Sequence, residues 1–222
     1  MRAQFCIFLL VFAFVFANDD DILHFQSPTS TEDMPPAPRC LSASRADPTA
    51  FQTMLSTVFR MYTTHDKTEQ QSLLQSYYSP RVQFEDPIMK VEGSENYALQ
   101  FYSLAKFFSS VQIQWSSYAT KVPGALGQGS MDVIVENNQT YTFARESWLS
   151  QKTLPEKVEM KVITTVTVRD CDAEDEKVDD GLILRHQDVW PENDAFGWSF
   201  YQQHMKQSVG SFTSQVFKWL GW

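Results

Sequence analysis

The hydrophobic period of this chain changes once, near residue 108, and that change constrains the fold more than any other feature. Before it, apolar residues recur at helical spacing in three stretches. Phe51, Met54, Leu55, Val58, Phe59 and Tyr62 make the first, Leu73, Leu74 and Tyr77 the second, and Tyr97, Ala98, Phe101, Tyr102, Ala105 and Phe108 the third. After it they alternate: Val111, Ile113 and Trp115; Met131, Val133 and Val135; Tyr141 to Leu149; Val158, Met160, Val162, Thr164, Val166 and Val168; and Leu182, Leu184, His186, Asp188 and Trp190. One short strand, in which Val82, Phe84 and Asp86 share a face, lies inside the helical half and stops at Pro87. Helices first and a long antiparallel meander afterwards define an α+β chain, with helices on one face of a curved sheet.

Local punctuation supports these divisions. Asp47-Pro48 predicts an N-cap followed by proline in the first turn, and Lys67 to Tyr77 reads as a second helix. Gly93 precedes the third. The run G-A-L-G-Q-G over 124–129 follows no strand-to-helix pattern of a phosphate cradle and reads as a hairpin. RDCDAEDEKVDD over 169–180 is too charged for anything but a solvated loop.

The 222 residues are 43 % apolar and 14 % aromatic, ample for a core, which excludes disorder of the whole chain. Eighteen basic against 27 acidic residues give a net charge of −9 with no basic stripe, so a nucleic-acid partner is excluded. Residues 1–17, MRAQFCIFLLVFAFVFA, place Arg2 before an apolar run that stops at Asn18 and three aspartates, the pattern of a secretory signal peptide cut after Ala17. An uncleaved anchor is the rival reading. The expected location is therefore the secretory route: outside the cell or the endoplasmic reticulum lumen.

Cys6 leaves with that segment, and Cys40 and Cys171 remain as a pair expected to join in an oxidising compartment, two free thiols being the alternative. Asn138-Gln139-Thr140 is a glycan acceptor, placed by the flanking runs at an exposed hairpin end. Residues 18–46 read as an acidic, Pro/Ser-rich linker, 47–192 as the domain, and 193–222 as an amphipathic helix. Tyr201, Met205, Val209, Phe212, Val216, Trp219 and Leu220 form its stripe, which suits docking on the domain, peripheral contact with a membrane interface, or a homodimer.

The segments L-x-x-V-F-R-M-Y, Y-Y-S-P-R-V-Q-F-E-D-P and G-S-E-N-Y-A-L-Q-F-Y, in that order, resemble the nuclear transport factor 2-like (NTF2-like) superfamily. SnoaL-like and ketosteroid-isomerase-like proteins are the nearest familiar members, and plant NTF2-like proteins are also similar. The resemblance covers Pro48 to Trp190. It implies a cone of bent antiparallel sheet wrapped around three N-terminal helices, with a pocket at the wide end. In the isomerases the Asp of E-D-P shuttles the proton and a Tyr at the end of the first helix donates to the oxyanion; here Asp86 and Tyr62 match in type and spacing. Those enzymes also present a protonated Asp from a late strand, where this chain offers only Thr164 or Thr165.

Read from the residues alone, Asp86 shares its face with Val82 and Phe84 and so points to an apolar interior; its other role is to end the strand by binding nearby amides. Tyr62 is equally a core residue ending an apolar stripe. His186 and Asp188, two apart on a strand, both point into the cone, as an acid/base pair or as a satisfied histidine. Phe84, Trp115, Thr164 and Asp188 are the candidate pocket wall, and Arg145 is an anchor for an acidic ligand or half of an ion pair. The four histidines are scattered without metal-ligand spacing, no cofactor motif is present, and G-x-S-x-G is absent.

Three functions follow: a non-catalytic domain binding a small apolar ligand or a protein partner; an isomerase, cyclase or dehydratase of a hydrophobic carbonyl compound using Asp86; and a membrane-interface scaffold acting through the last helix.

Overall fold

The computed structural model describes residues 38–42, 44, 47–87, 89–144, 157–172 and 181–191. The signal segment, Arg145 and the 193–222 helix lie outside the described residues, as do His24 and His204.

Helix α1 (Pro48–Thr63) begins where the sequence places it: the Thr49 amide donates to Asp47 Oδ1 at 2.9 Å and Pro48 fills the first turn, where its missing N–H costs nothing. Helix α2 (Lys67–Tyr77) repeats the device, the Asp66 carboxylate accepting from the Thr68 and Glu69 amides. The two are clamped by Gln70, whose buried amide donates to the carbonyls of Met61 at 3.0 Å and Thr64 at 3.1 Å. Strand β1 (Tyr78–Glu85) follows at once, then β2 (Lys90–Glu92), helix α3 (Ser94–Phe107) and four strands: β3 (Phe108–Lys121), β4 (Ser130–Phe143), β5 (Lys157–Arg169) and β6 (Ile183–Val189). Gly124 and Gly127 form the bridge of the β3–β4 hairpin.

The six strands form one sheet in the order β2-β1-β6-β5-β4-β3. The meander from β3 to β6 is antiparallel throughout, but β6 lies parallel to β1. The wholly antiparallel sheet of the expectation is thus mixed at one seam. β1 and β6 are joined through α3 and four strands, not by a hairpin, so no turn forces them to oppose. Gly181 makes the seam tight: its φ is +106°, and a Cβ there would lie 2.4 Å from backbone atoms of Tyr78 and Ser79.

Two further readings are corrected. β4 runs unbroken through Asn138, which pairs with Gln114 on one side and Lys161 on the other, so the acceptor asparagine is not at a hairpin end; it is mid-strand, exposed on the outer face. In β6 a bulge shifts the phase, because Ile183 opposes Val168 while Arg185 opposes Thr167. Ile183 is consequently buried, whereas the pattern selects Leu184.

Inside the curve, α1 lies across the sheet, Phe51 stacking on Tyr118 at 5.4 Å and Phe59 packing on Trp115 at 5.9 Å. Met54, Leu55, Val58 and Met61 are completely buried in one core with Met131, Val133, Val135, Val166 and Val168. Each such side chain contributes about 1.5–3 kcal/mol by leaving water. Cys40 is bonded to Cys171, and beside it Leu41 bridges to the end of β5, its amide donating to the Arg169 carbonyl at 3.0 Å. The 38–42 segment is thereby stapled to the sheet.

Candidate functional site

Period two in β6 and the register with β5 bring His186 and Asp188 to the inner face, opposite Val166 and Thr164. The last turn of α1 sets Tyr62 over them. Its hydroxyl donates to Asp188 Oδ2 at 2.5 Å and lies 3.1 Å from His186 Nε2. Thr164 donates to Asp188 Oδ1 at 2.6 Å, and the Asn137 amide donates to Thr164 Oγ1 at 2.9 Å. Gln139 donates to Asn137 Oδ1 at 3.0 Å and accepts from the Tyr141 hydroxyl. On the far side of the imidazole, the Tyr97 hydroxyl sits 2.8 Å from Nδ1 and is bonded in turn to Tyr78 at 3.2 Å. All nine side chains are buried.

The hydrogens of this network have a direction. From Tyr141 through Gln139, Asn137 and Thr164, every donor points toward Asp188. Tyr62 gives its single hydrogen to the same carboxylate, so its oxygen can only accept from His186, and Nε2 must carry a hydrogen. Two polarised cascades therefore converge on one buried charge, each bond strengthening the next. Burial first, and then the negative charge of Asp188, hold the Tyr62 hydroxyl well above its usual range. Burial likewise raises Tyr97 and Tyr78. Tyr141 is raised by burial, then by the charges of Asp188 and Asp86, which places both carboxylates within electrostatic reach of one hydroxyl.

The predicted residues divide accordingly. Tyr62, His186, Asp188 and Thr164 come together. Phe84 is no open wall: it is buried with its ring 5.2 Å from that of His186, beside Tyr97 and Phe101. Asp86 ends β1; its Oδ1 accepts from the Met89 amide at 2.7 Å, while the Asp86 amide donates to the Met89 carbonyl at 3.0 Å. Trp115 is half-buried with Phe108, Ile113, Tyr118 and Met160, apolar side chains packed at the margin of the core.

Tyr78, Tyr97, Asn137, Gln139 and Tyr141 are additions that sequence reasoning did not select. The signal for three of them is the continuation of period two from Met131, Val133 and Val135 through 137, 139 and 141. Among the described residues no group of three His, Cys, Asp or Glu converges as a metal site would require.

Three helices sit inside one curved sheet, an aspartate ends the first strand, and a tyrosine from the first helix points at the interior. The fold is NTF2-like. No family model matches the sequence, and no curated protein does. Solved structures similar to this chain include a protein of the NTF2-like family from Streptomyces avermitilis, 12 % identical over 63 % of this chain and 93 % of that one, with a TM-score of 0.45. A type 2 hexachlorocyclohexane dehydrochlorinase, LinA, is 9 % identical over 64 % of this chain and 84 % of its own, with a TM-score of 0.45. Mtr2 of Candida albicans is 15 % identical over 65 % and 96 %, with a TM-score of 0.43. These likenesses are of fold alone.

Within the NTF2-like cone, the carboxylate hydrogen-bonded to Thr164 comes from β6, as Asp188, and each of its oxygens accepts a hydrogen bond. An oxyanion donor needs a free hydrogen, and that of Tyr62 is taken.

Proposed function

We propose that this NTF2-like domain is a secretory-route protein that binds a small apolar ligand at the wide end of its cone without transforming it. The observation that carries this reading is the saturation of the polar floor beneath a half-buried apolar rim. Both ring nitrogens of His186 face tyrosine hydroxyls, both oxygens of Asp188 accept hydrogen bonds, and Asp86 Oδ1 is held by its turn. Each of these groups is engaged by a partner within the fold, which favours binding over proton abstraction. Phe108, Ile113, Trp115 and Met160 offer apolar surface above it. The Cys40–Cys171 bond supports an oxidising compartment.

The test is titration with neutral N-phenyl-1-naphthylamine, followed by its fluorescence. Saturable binding is expected, weakened at least tenfold by Ile113→Glu and left within about twofold by Asp86→Asn. Absence of saturable binding would refute ligand binding, and a more than tenfold loss in Asp86→Asn would restore Asp86 as the working group of the site.

A further inference from the structure

His186 is wholly buried yet placed to change charge without any heavy atom moving. The groups that face it come from four elements besides its own. Tyr62 approaches from α1, Tyr97 and Phe101 from α3, and Phe84 from β1, with Tyr78 of β1 behind Tyr97. Thr164 of β5 is bonded to Asp188, whose Oδ1 lies 3.5 Å from His186 Nε2 on the ring's own strand. Beyond these, Tyr141 and Asp86 also act on the network electrostatically.

Nε2 is a fixed donor to Tyr62, as shown above. Nδ1 is different, because its partner is a hydroxyl that can face either way. With the ring neutral, Tyr97 turns its single hydrogen to Nδ1 and gives up its bond to Tyr78. With a proton added, Nδ1 donates to the Tyr97 oxygen and Tyr97 turns its hydrogen to Tyr78, 3.2 Å away. The Tyr97 hydroxyl is bonded in both states, to Nδ1 in one and to Tyr78 in the other, and only its O–H bond rotates. The added charge is then balanced by the Asp188 carboxylate and lies among the Phe84 ring at 5.2 Å and the Phe101 ring, stacked at 6.3 Å.

We propose that Tyr78, Tyr97, His186 and Asp188 form a pH-sensitive switch in which His186 takes up and releases one proton inside the intact fold, Tyr97 reversing its hydroxyl as it does so. The switch resets the charge of the cone floor: Asp188 alone when the ring is neutral, a balanced ion pair when it is protonated. It holds whether or not the cone carries a ligand. An acidic compartment would thus present a neutral floor, and a neutral compartment a negative one.

Nitrogen-15 NMR of the full chain, recorded across pH while unfolding is monitored on the same sample, tests this directly. The expected result is a ring protonated at Nε2 alone at high pH, converting to a doubly protonated ring at lower pH with the amide spectrum of the folded protein retained. Tyr97→Phe removes the hydroxyl at Nδ1 and should lower the midpoint of that conversion by about one pH unit, a tenfold loss of proton affinity. Phe101→Leu, which disturbs packing but no hydrogen bond, should move it by less than a third of that. A ring that never becomes doubly protonated before the fold is lost overturns the switch. So does a Tyr97→Phe midpoint that stays with the wild type. Should Tyr97→Phe fail to fold, the wild-type nitrogen shifts decide alone, since a Nδ1-protonated neutral ring contradicts the assignment.

Discussion

Replacing Asp188 with asparagine changes one atom and removes the charge on which both hydrogen-bond cascades converge. The Thr164 and Tyr62 hydroxyls donate to its two oxygens at 2.6 and 2.5 Å. Asparagine keeps one acceptor and turns a donor toward the other hydroxyl. One buried hydroxyl is then left unpaired, costing about 1–3 kcal/mol, and the bond that survives falls from the roughly 1.5–3 kcal/mol of a charged acceptor toward about 1. The sum is a loss of about 2–5 kcal/mol. Relief from desolvating the carboxylate works against this, but a fully hydrogen-bonded buried charge gives little back when only the charge is removed.

Urea unfolding followed by circular dichroism at neutral pH, with the disulfide intact, measures the difference, and the midpoint temperature should drop by about 2–4 °C per kcal/mol for a domain of this size. Glu92→Gln, on an exposed position of β2, is the matched control and should stay within about 0.5 kcal/mol. An Asp188→Asn protein as stable as that control would refute the view that the network is organised around the Asp188 carboxylate.

Three other outcomes follow from the same geometry. Tyr62, Tyr78, Tyr97 and Tyr141 are all held above the ordinary tyrosine value of 10.0 by burial, so the folded state keeps protons that the unfolded chain releases. Stability is therefore whole below about pH 10 and falls as pH rises past it, and absorbance near 295 nm should show these four among the eight tyrosines ionising only as the fold is lost. Removing the disulfide as Cys40→Ala with Cys171→Ala opens a link across 131 residues and should cost up to about 4–5 kcal/mol in urea; a change below about 1 would mean that the Leu41 bridge alone holds the segment. Gly181→Ala forces a Cβ into the Tyr78–Ser79 backbone at positive φ and should cost about 3 kcal/mol or more by thermal unfolding.

The helices were legible because of Asp47 as a cap, Gly93 before Ser94, and apolar stripes that match the buried faces. The strands were legible wherever one face is purely apolar. The reading failed where polarity stood in for a turn. Asn137, Gln139 and their neighbours break the apolar alternation of β4 and mimic a hairpin, although their period of two continues unbroken, because what they face is the Asp188 network and not hydrocarbon.

Leu184 was selected over Ile183 because a bulge inserts one residue and no local pattern announces it. β2 was missed because three residues carry too little pattern. At the site, His186 and Asp188 could be placed on one face from spacing, and Tyr62 from resemblance. That Tyr97 would reach Nδ1 from another helix is a fact of packing at long range, invisible in a helical stripe where it looks like any core aromatic.

The most direct test of the account is native mass spectrometry of the full chain secreted from a eukaryotic host, compared with its denatured mass. Bound apolar material, released on denaturation and lost from Ile113→Glu but retained by Asp86→Asn, is the predicted result. A chain that carries no adduct from any host, and gains none when offered N-phenyl-1-naphthylamine, would contradict a ligand-binding cone.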